Sequence, residues 1–371
     1  MPSLSDTISR LSALRNLPDA APFGSVDRLT DMTGFGLNPG KLRARIYLPP
    51  GLAIGAPLVV VLHGCTQNAA SYDAGSGWSQ LADRHGFGLL FPEQTRANNP
   101  NLCFNWFQPE DIKRGAGEAL SISQMVETML GRHALDPARV FVTGLSAGGA
   151  MTSVMLATYP DLFAGGAIIA GLPYGSAASM PQAFDRMRGH GGPDHAGLAR
   201  LVRAASDHEG SWPTISVWHG SADPTVSHSN ASAIVAQWRP LHGLEREPTW
   251  RETVDSYPHR VWCDARGRAL IEEYEITGLA HGTPLATRGV QGCGQAGPHM
   301  LEAGISSTRH IAAFWGLTDA WAGEAAATVG APRLPLAIKD APGSYTNDAP
   351  PSIAGVGKVI EDALRRAGLM R

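Results

Sequence analysis

Several short runs along the chain are apolar at nearly every position instead of alternating with polar residues. Residues Pro57 to Leu62 (PLVVVL), Phe87 to Phe91, Val140 to Thr143, Gly165 to Gly171 (GGAIIAG) and Thr214 to His219 (TISVWH) all read this way. Such runs are strand-sized and suit strands covered on both faces. Leu42 to Leu48 (LRARIYL) alternates, as a half-buried strand does, and Pro49-Pro50-Gly51 ends it. Between these runs the apolar spacing turns helical: over 78–85, over 118–132, after residue 146 as far as Tyr159-Pro160, over 230–238 and over 304–315. Strands alternating with helices predict the α/β class, with a mostly parallel, doubly wound sheet and right-handed crossovers. From Leu172 to Gly210 the pattern weakens, which predicts a mostly helical excursion over the sheet's carboxyl edge. Arg260 to Thr277 reads as two strands joined at Ala265 to Arg268, extending the sheet.

The two ends of the chain differ from this middle. Residues 1–20 read as a short amphipathic helix without an apolar leader core, so a cytoplasmic location is the plain expectation and secretion the alternative. Residues 319–371 shift to alanine, proline and glycine, then end in an amphipathic helix, Val356 to Met370, with Val356, Ile360 and Leu364 on one face. The catalytic unit is expected to span 21–318. Charge is nearly balanced, 30 basic against 33 acidic residues. That argues against nucleic acid or an anionic membrane surface as the main partner. No apolar run is long enough for a membrane span. Cys65, Cys103, Cys263 and Cys293 are too few for a disulfide scaffold and lack C-x-x-C spacing. One or two disulfides can form among them, in pairings that sequence leaves open.

Candidate chemistry centres on Arg139 to Ala150, RVFVTGLSAGGA. A β-branched run enters Gly144-Leu145-Ser146-Ala147-Gly148, and small residues open a helix. This is a G-x-S-x-G nucleophile elbow in its required strand-to-helix context. A serine hydroxyl needs a base, and the base needs an acid to fix its tautomer. In doubly wound hydrolases these follow in the order acid, then histidine, each on a loop after a strand. Asp223 meets the first demand, following TISVWH across Gly-Ser-Ala with Pro224 behind it. His281, in Gly278 to Gly282 after the last expected strand, meets the second. His299 and His310 come later but are expected in or beside the terminal helix, while His63 and His219 sit before glycines at strand ends, where they brace loops. The oxyanion of acyl transfer needs two N–H donors, expected from Ala147 and from the loop His63 to Thr66, with Cys65 donating through its backbone. No metal or nucleotide motif is present, so no cofactor is expected.

The runs LHGCTQ, CFNWF, GLSAGGAM, AGLPYG and HGSADPTV together resemble the catalytic domain of the poly(3-hydroxybutyrate) depolymerase family of esterases, over roughly Lys41 to Gly316. The resemblance implies an α/β-hydrolase fold, a Ser146, Asp223, His281 triad and an oxyanion hole from Cys65 and Ala147. It also implies that the loop with Cys103 and Trp106 lies near the HGC loop. Gln67, Trp106 and Tyr174 are the candidate substrate contacts. His281 is followed here by Gly282-Thr283-Pro284, whereas the family's usual motif places a small residue and tryptophan there. The expected activity is hydrolysis of short-chain hydroxyalkanoate esters or oligomers, with a polyester surface as a secondary partner. A feruloyl or acetyl-xylan esterase is the alternative within enzymes, and a non-catalytic protein coating polymer granules through the terminal helix is the alternative outside them. Oligomeric state is not readable from the sequence.

Overall fold

Leu58, Val60 and Leu62 point into one apolar cluster and Val59 and Val61 into another, on opposite faces of the same strand. Burial on both faces is the physical reason that the run carries no polar alternation. The computed structural model describes residues 27–318. In chain order its elements are β1 (Thr30–Met32), β2 (Arg43–Tyr47), β3 (Leu58–Leu62), α1 (Ala69–Ser76), α2 (Trp78–His85), β4 (Gly88–Glu93), α3 (Gly117–His133), β5 (Val140–Leu145), α4 (Ala147–Thr158) and β6 (Gly165–Ile169). Then come α5 (Met180–Met187), α6 (His195–Arg203), β7 (Thr214–Gly220), α7 (Ser229–Trp238), β8 (Trp250–Val254), β9 (Tyr257–Cys263), β10 (Ala269–Ile276), β11 (Thr283–Leu285), β12 (Met300–Glu302) and α8 (Ser307–Phe314).

One ten-stranded sheet runs in the order β1-β2-β4-β3-β5-β6-β7-β10-β9-β8. Its middle, β4 through β10, is parallel throughout. The margins β1 and β2 on one side, and β9 and β8 on the other, pair antiparallel. Helices α3, α4, α6 and α7 pack on one face and α1, α2 and α8 on the other. The parallel strands all end at one edge, so the loops after β3, β5, β7 and β10 converge there.

Some elements lie outside what the pattern predicts. β8 was not expected because four of its five residues are exposed and it carries no apolar period. α1 (AASYDAGS) lacks an apolar stripe and is set by its cap: the Asn68 side chain accepts the Ser71 N–H and Ser71 reaches back to the Asn68 N–H. The excursion after β6 contains α5 and α6. The helix expected over 1–20 and the arm and helix expected over 319–371 lie outside the described residues. Among the described residues no helix is long and apolar enough to cross a membrane.

The antiparallel margin carries a buried histidine between a buried carboxylate, Glu272, and a half-exposed one, Glu252. His259 lies 3.1 Å from Glu252 Oε1 and 3.1 Å from Glu272 Oε2, and stacks on Tyr274 at 4.0 Å between ring centres. Ser216 donates to the other Glu272 oxygen at 2.6 Å. Burial alone would lower the His259 pKa, but the two carboxylates outweigh it and raise the value. Stability from the charged ring is therefore fully present below the unfolded pKa, about 6.5. It is lost as pH rises through the folded value. His259→Gln is expected to cost about 2 kcal/mol near about pH 6 and clearly less near about pH 9, by urea unfolding at both. An equal loss at the two pH values would contradict this.

Candidate active site

β5 ends at Leu145 and α4 begins at Ala147, so Ser146 alone turns the chain. It adopts φ 81° and ψ −108°, a conformation that L residues rarely take. Its N–H donates to the Ile169 carbonyl at 3.0 Å, which holds the turn. The flanking glycines are steric requirements. A Cβ on Gly148 would lie 2.3 Å from the Leu62 carbonyl oxygen and 2.5 Å from that of His63, and one on Gly144 would lie 2.5 Å from the Gly148 backbone.

Lifted onto the sheet edge, Ser146 Oγ lies 2.8 Å from His281 Nε2, and His281 Nδ1 lies 2.6 Å from Asp223 Oδ2. An ionised carboxylate only accepts hydrogen bonds, so Nδ1 carries the proton and Nε2 accepts from the serine hydroxyl. The other Asp223 oxygen accepts the N–H groups of Thr225 and Val226 at 2.8 and 2.9 Å. Burial opposes ionisation of Asp223, but hydrogen bonds from His219 and His281 outweigh it and hold the carboxyl well below the usual carboxylate range. His219, buried 3.5 Å from Asp223, also donates to the Val226 carbonyl at 2.9 Å. His63 braces its own loop: Nε2 accepts the Gln94 N–H at 3.1 Å, Nδ1 donates to the Gly64 carbonyl at 2.8 Å, and burial lowers its pKa to about 4.

In the turn after β3, the Gly64 N–H donates to Gln67 Oε1, the Thr66 N–H to the Asn101 carbonyl and the Gln67 N–H to the Gly64 carbonyl. The N–H groups of Cys65 and Ala147 have no acceptor among the described residues. Ala147 opens α4, so the positive end of the helix dipole reinforces its donor. Both residues line, with Ser146 and His281, a cleft of about 400 Å³. One wall is apolar, built from Trp106, Phe107, Leu172, Ala183, Phe184, Met187 and Val226, and Asn99, Asn101 and Asn105 add amides. A disulfide joins Cys65 to Cys103, and Cys263 and Cys293 are free. The cystine ties the turn that carries the Cys65 N–H to the loop that carries Trp106.

A family model described as esterase PHB depolymerase matches residues 42–254. Over 318 residues the chain is 48% identical to poly(3-hydroxyalkanoate) depolymerase C of Paucimonas lemoignei, covering 83% of this chain and 77% of that one. The chain belongs to the esterase PHB depolymerase family. It is also 30% identical to feruloyl esterase B of Talaromyces funiculosus, over 69% of this chain and 73% of the relative. The acetyl xylan esterase from Aspergillus awamori superposes with a TM-score of 0.63 at 28% identity, covering 70% of this chain and 94% of that structure. Membership makes the chain a carboxylic-ester hydrolase of the α/β-hydrolase fold, the class expected from its motifs.

Within this esterase PHB depolymerase fold, Ser146, Asp223, His281, Cys65, Ala147, Gln67 and Trp106 meet at one site. Tyr174 does not. It packs against the apolar cluster on the α3 side of the sheet, its hydroxyl 3.4 Å from the Ile112 carbonyl, and it does not line the cleft. Its backbone N–H donates to Gln237 Oε1 at 2.8 Å and its carbonyl accepts from Gln237 Nε2 at 2.9 Å, so contacts with α7 and with the loop before α3 hold it away from the cleft. Gln67 lines the cleft, but its amide oxygen is engaged by Gly64. His299 stands apart from the last helix: its Nδ1 donates to the His281 carbonyl at 3.1 Å and its carbonyl accepts the Thr283 N–H at 2.8 Å, clasping the His281 loop. Sequence reasoning missed the wall from α5, where Ala183, Phe184 and Met187 fall at helical spacing and could have been read as an apolar stripe. The disulfide carried no local signal, since its partners are 38 residues apart. A loop of that length makes the Cys65→Ser, Cys103→Ser double variant expected to lose about 3 to 4 kcal/mol in urea unfolding. Ester hydrolysis should fall with it, and unchanged stability and rate would contradict the role given to the cystine.

Proposed function

We propose that this chain is a serine esterase that cleaves short-chain hydroxyalkanoate esters or oligomers through a covalent acyl-enzyme. The observation that carries this reading is the unbroken hydrogen-bond relay from Ser146 through His281 to Asp223 at the floor of an apolar cleft. Ser146 Oγ attacks the ester carbonyl while His281 Nε2 takes its proton. The negative charge that develops on the carbonyl oxygen is received by the N–H groups of Cys65 and Ala147. His281 then gives the proton to the departing alcohol, and Asp223 stabilises the imidazolium between the two transfers. Water, activated by the same histidine, releases the acyl group and restores Ser146.

The substrate class is supported by the similarity to the Paucimonas lemoignei depolymerase and by the apolar wall, which suits an alkyl ester better than a polyol. The alternative, a feruloyl or acetyl-xylan ester, is supported by the likeness to the Aspergillus awamori enzyme and by the amides of Asn99, Asn101 and Asn105 in the cleft. The granule-coating alternative rests on the terminal helix, outside the described residues. The cystine supports an oxidising compartment, so secretion is preferred here over the cytoplasm.

Initial rates on hydroxybutyrate trimer, a polyester film, methyl ferulate and acetylated xylan, measured in culture fluid and cell extract of the source, test all of this together. The trimer is expected to lead by about tenfold or more in kcat/KM, in the culture fluid, a gap of about 1.4 kcal/mol in transition-state binding. Preference for ferulate or acetylxylan would overturn the substrate, and activity confined to the cell extract would overturn secretion.

A further inference from the structure

Behind the cleft lies an acid that takes no part in moving the proton. Glu118, the second residue of α3, is fully buried. Its Oε1 accepts from Gln94 Nε2 at 2.6 Å and from Asn98 Nδ2 at 3.0 Å, and its Oε2 accepts the Asn105 N–H at 2.9 Å. All three donors belong to residues 94–105, the segment that delivers Cys103 and then Trp106 to the cleft. Two routes lead from there to the turn after β3. Gln94 also donates through its side chain to the Cys103 carbonyl at 3.0 Å and through its backbone to His63 Nε2 at 3.1 Å. Cys103 is bonded covalently to Cys65. One carboxyl thus braces both the start of the turn, at His63, and its tip, at Cys65.

For stability alone the choice is a poor one. Burial pushes the Glu118 carboxyl up to about 8, against the hydrogen bonds from Asn105, Gln94 and Asn98, and the Asp111 carboxylate adds to the rise. An apolar side chain would avoid that penalty, but it would strand three buried donors. The start of α3 eases the cost, because the helix dipole favours negative charge there.

We propose that Glu118 is a positioning residue for ester hydrolysis, holding residues 94–105 from below so that the Cys65 N–H stays aimed at the oxyanion. This rests on the reading of Ser146 as nucleophile and of Cys65 as oxyanion donor. The residue acts through the loop and touches no substrate. Its loss should therefore fall on the step in which negative charge develops, and not on acyl binding, which belongs to the wall around Trp106.

The test uses Glu118→Gln in the full chain. Both Glu118 oxygens accept N–H groups, and glutamine keeps the shape but offers one acceptor oxygen in place of two, so either the Gln94 and Asn98 amides or the Asn105 N–H lose their partner. Deleting an oxyanion donor outright costs about 10²- to 10³-fold. Displacing one is expected to lower kcat by about tenfold or more, with KM within about twofold of wild type. A second readout is the affinity for butylboronic acid. Ser146 Oγ adds to its boron, His281 takes the serine proton, and the tetrahedral boronate presents an oxygen to the same two N–H groups. Boronate affinity of Glu118→Gln should fall by the same factor as kcat/KM, whereas Trp106→Ala should raise KM. If Glu118→Gln does not fold, Asn98→Ala, which removes one of the three donors, carries the test and should show a smaller loss in the same two quantities. Wild-type kcat and boronate affinity in the folded variant, or a loss confined to KM, would overturn the role of Glu118. Wild-type protein that neither hydrolyses esters nor binds the boronate would instead overturn the esterase reading beneath it.

Discussion

Between Gly148 and the carbonyl oxygens of Leu62 and His63 there is no room for one more carbon atom. This close approach of α4 to the end of β3 lets the chain leave the sheet in a single residue, with Ser146 at φ 81°. It also brings the first N–H of α4 beside the turn that holds Cys65, so Ser146 and the two N–H groups proposed to receive the charge come from one packing event. The parallel sheet supplies the rest. Strands β5, β7 and β10 end at the same edge, and the loops behind them need only a few residues to set Asp223 and His281 in line with the serine. Backbone strain gathers around this edge: besides Ser146, the non-glycine residues Thr66, Leu102, Ala170 and His299 also sit at positive φ.

The cleft shows a second level of support. Its apolar wall comes from α5 and the Trp106 loop, its electrostatic face from Cys65 and Ala147, and the Cys65–Cys103 disulfide joins the two. Below them the polar cluster of His63, Gln94, Asn98 and Glu118 replaces apolar packing where a loop with several side-chain and backbone donors has to be buried. Such clusters give up stability relative to an oily core and return a unique geometry when every member is satisfied.

Much of this was legible in the chain, for identifiable reasons. Buried parallel strands advertise themselves as continuous apolar runs, and the elbow, the Asp223 turn and the His281 loop each carry small residues that a sharp strand-end turn demands. What was not legible depends on contacts distant in sequence. β8 is an exposed margin held by pairing with β9, so no apolar period marks it. Tyr174 was a candidate substrate contact, but its hydroxyl reaches the Ile112 carbonyl and its backbone pairs with the Gln237 side chain on α7, which turns it into the core beside α3. His299 was expected in or beside the last helix, and two hydrogen bonds draw it to the His281 loop. Glu118 reads in the sequence as an ordinary acid in the first turn of a helix, and its three partners emerge only when residues 94–105 fold over it.

The relay proposed here requires Ser146, and no other residue, to be the nucleophile. Intact-mass and peptide mapping after treatment with a fluorophosphonate tests it most directly. Folded wild-type protein should carry one adduct, located on Ser146, with none on Ser146→Ala and much slower labelling of His281→Ala. An adduct on another residue, or folded wild-type protein that stays unlabelled, would contradict it.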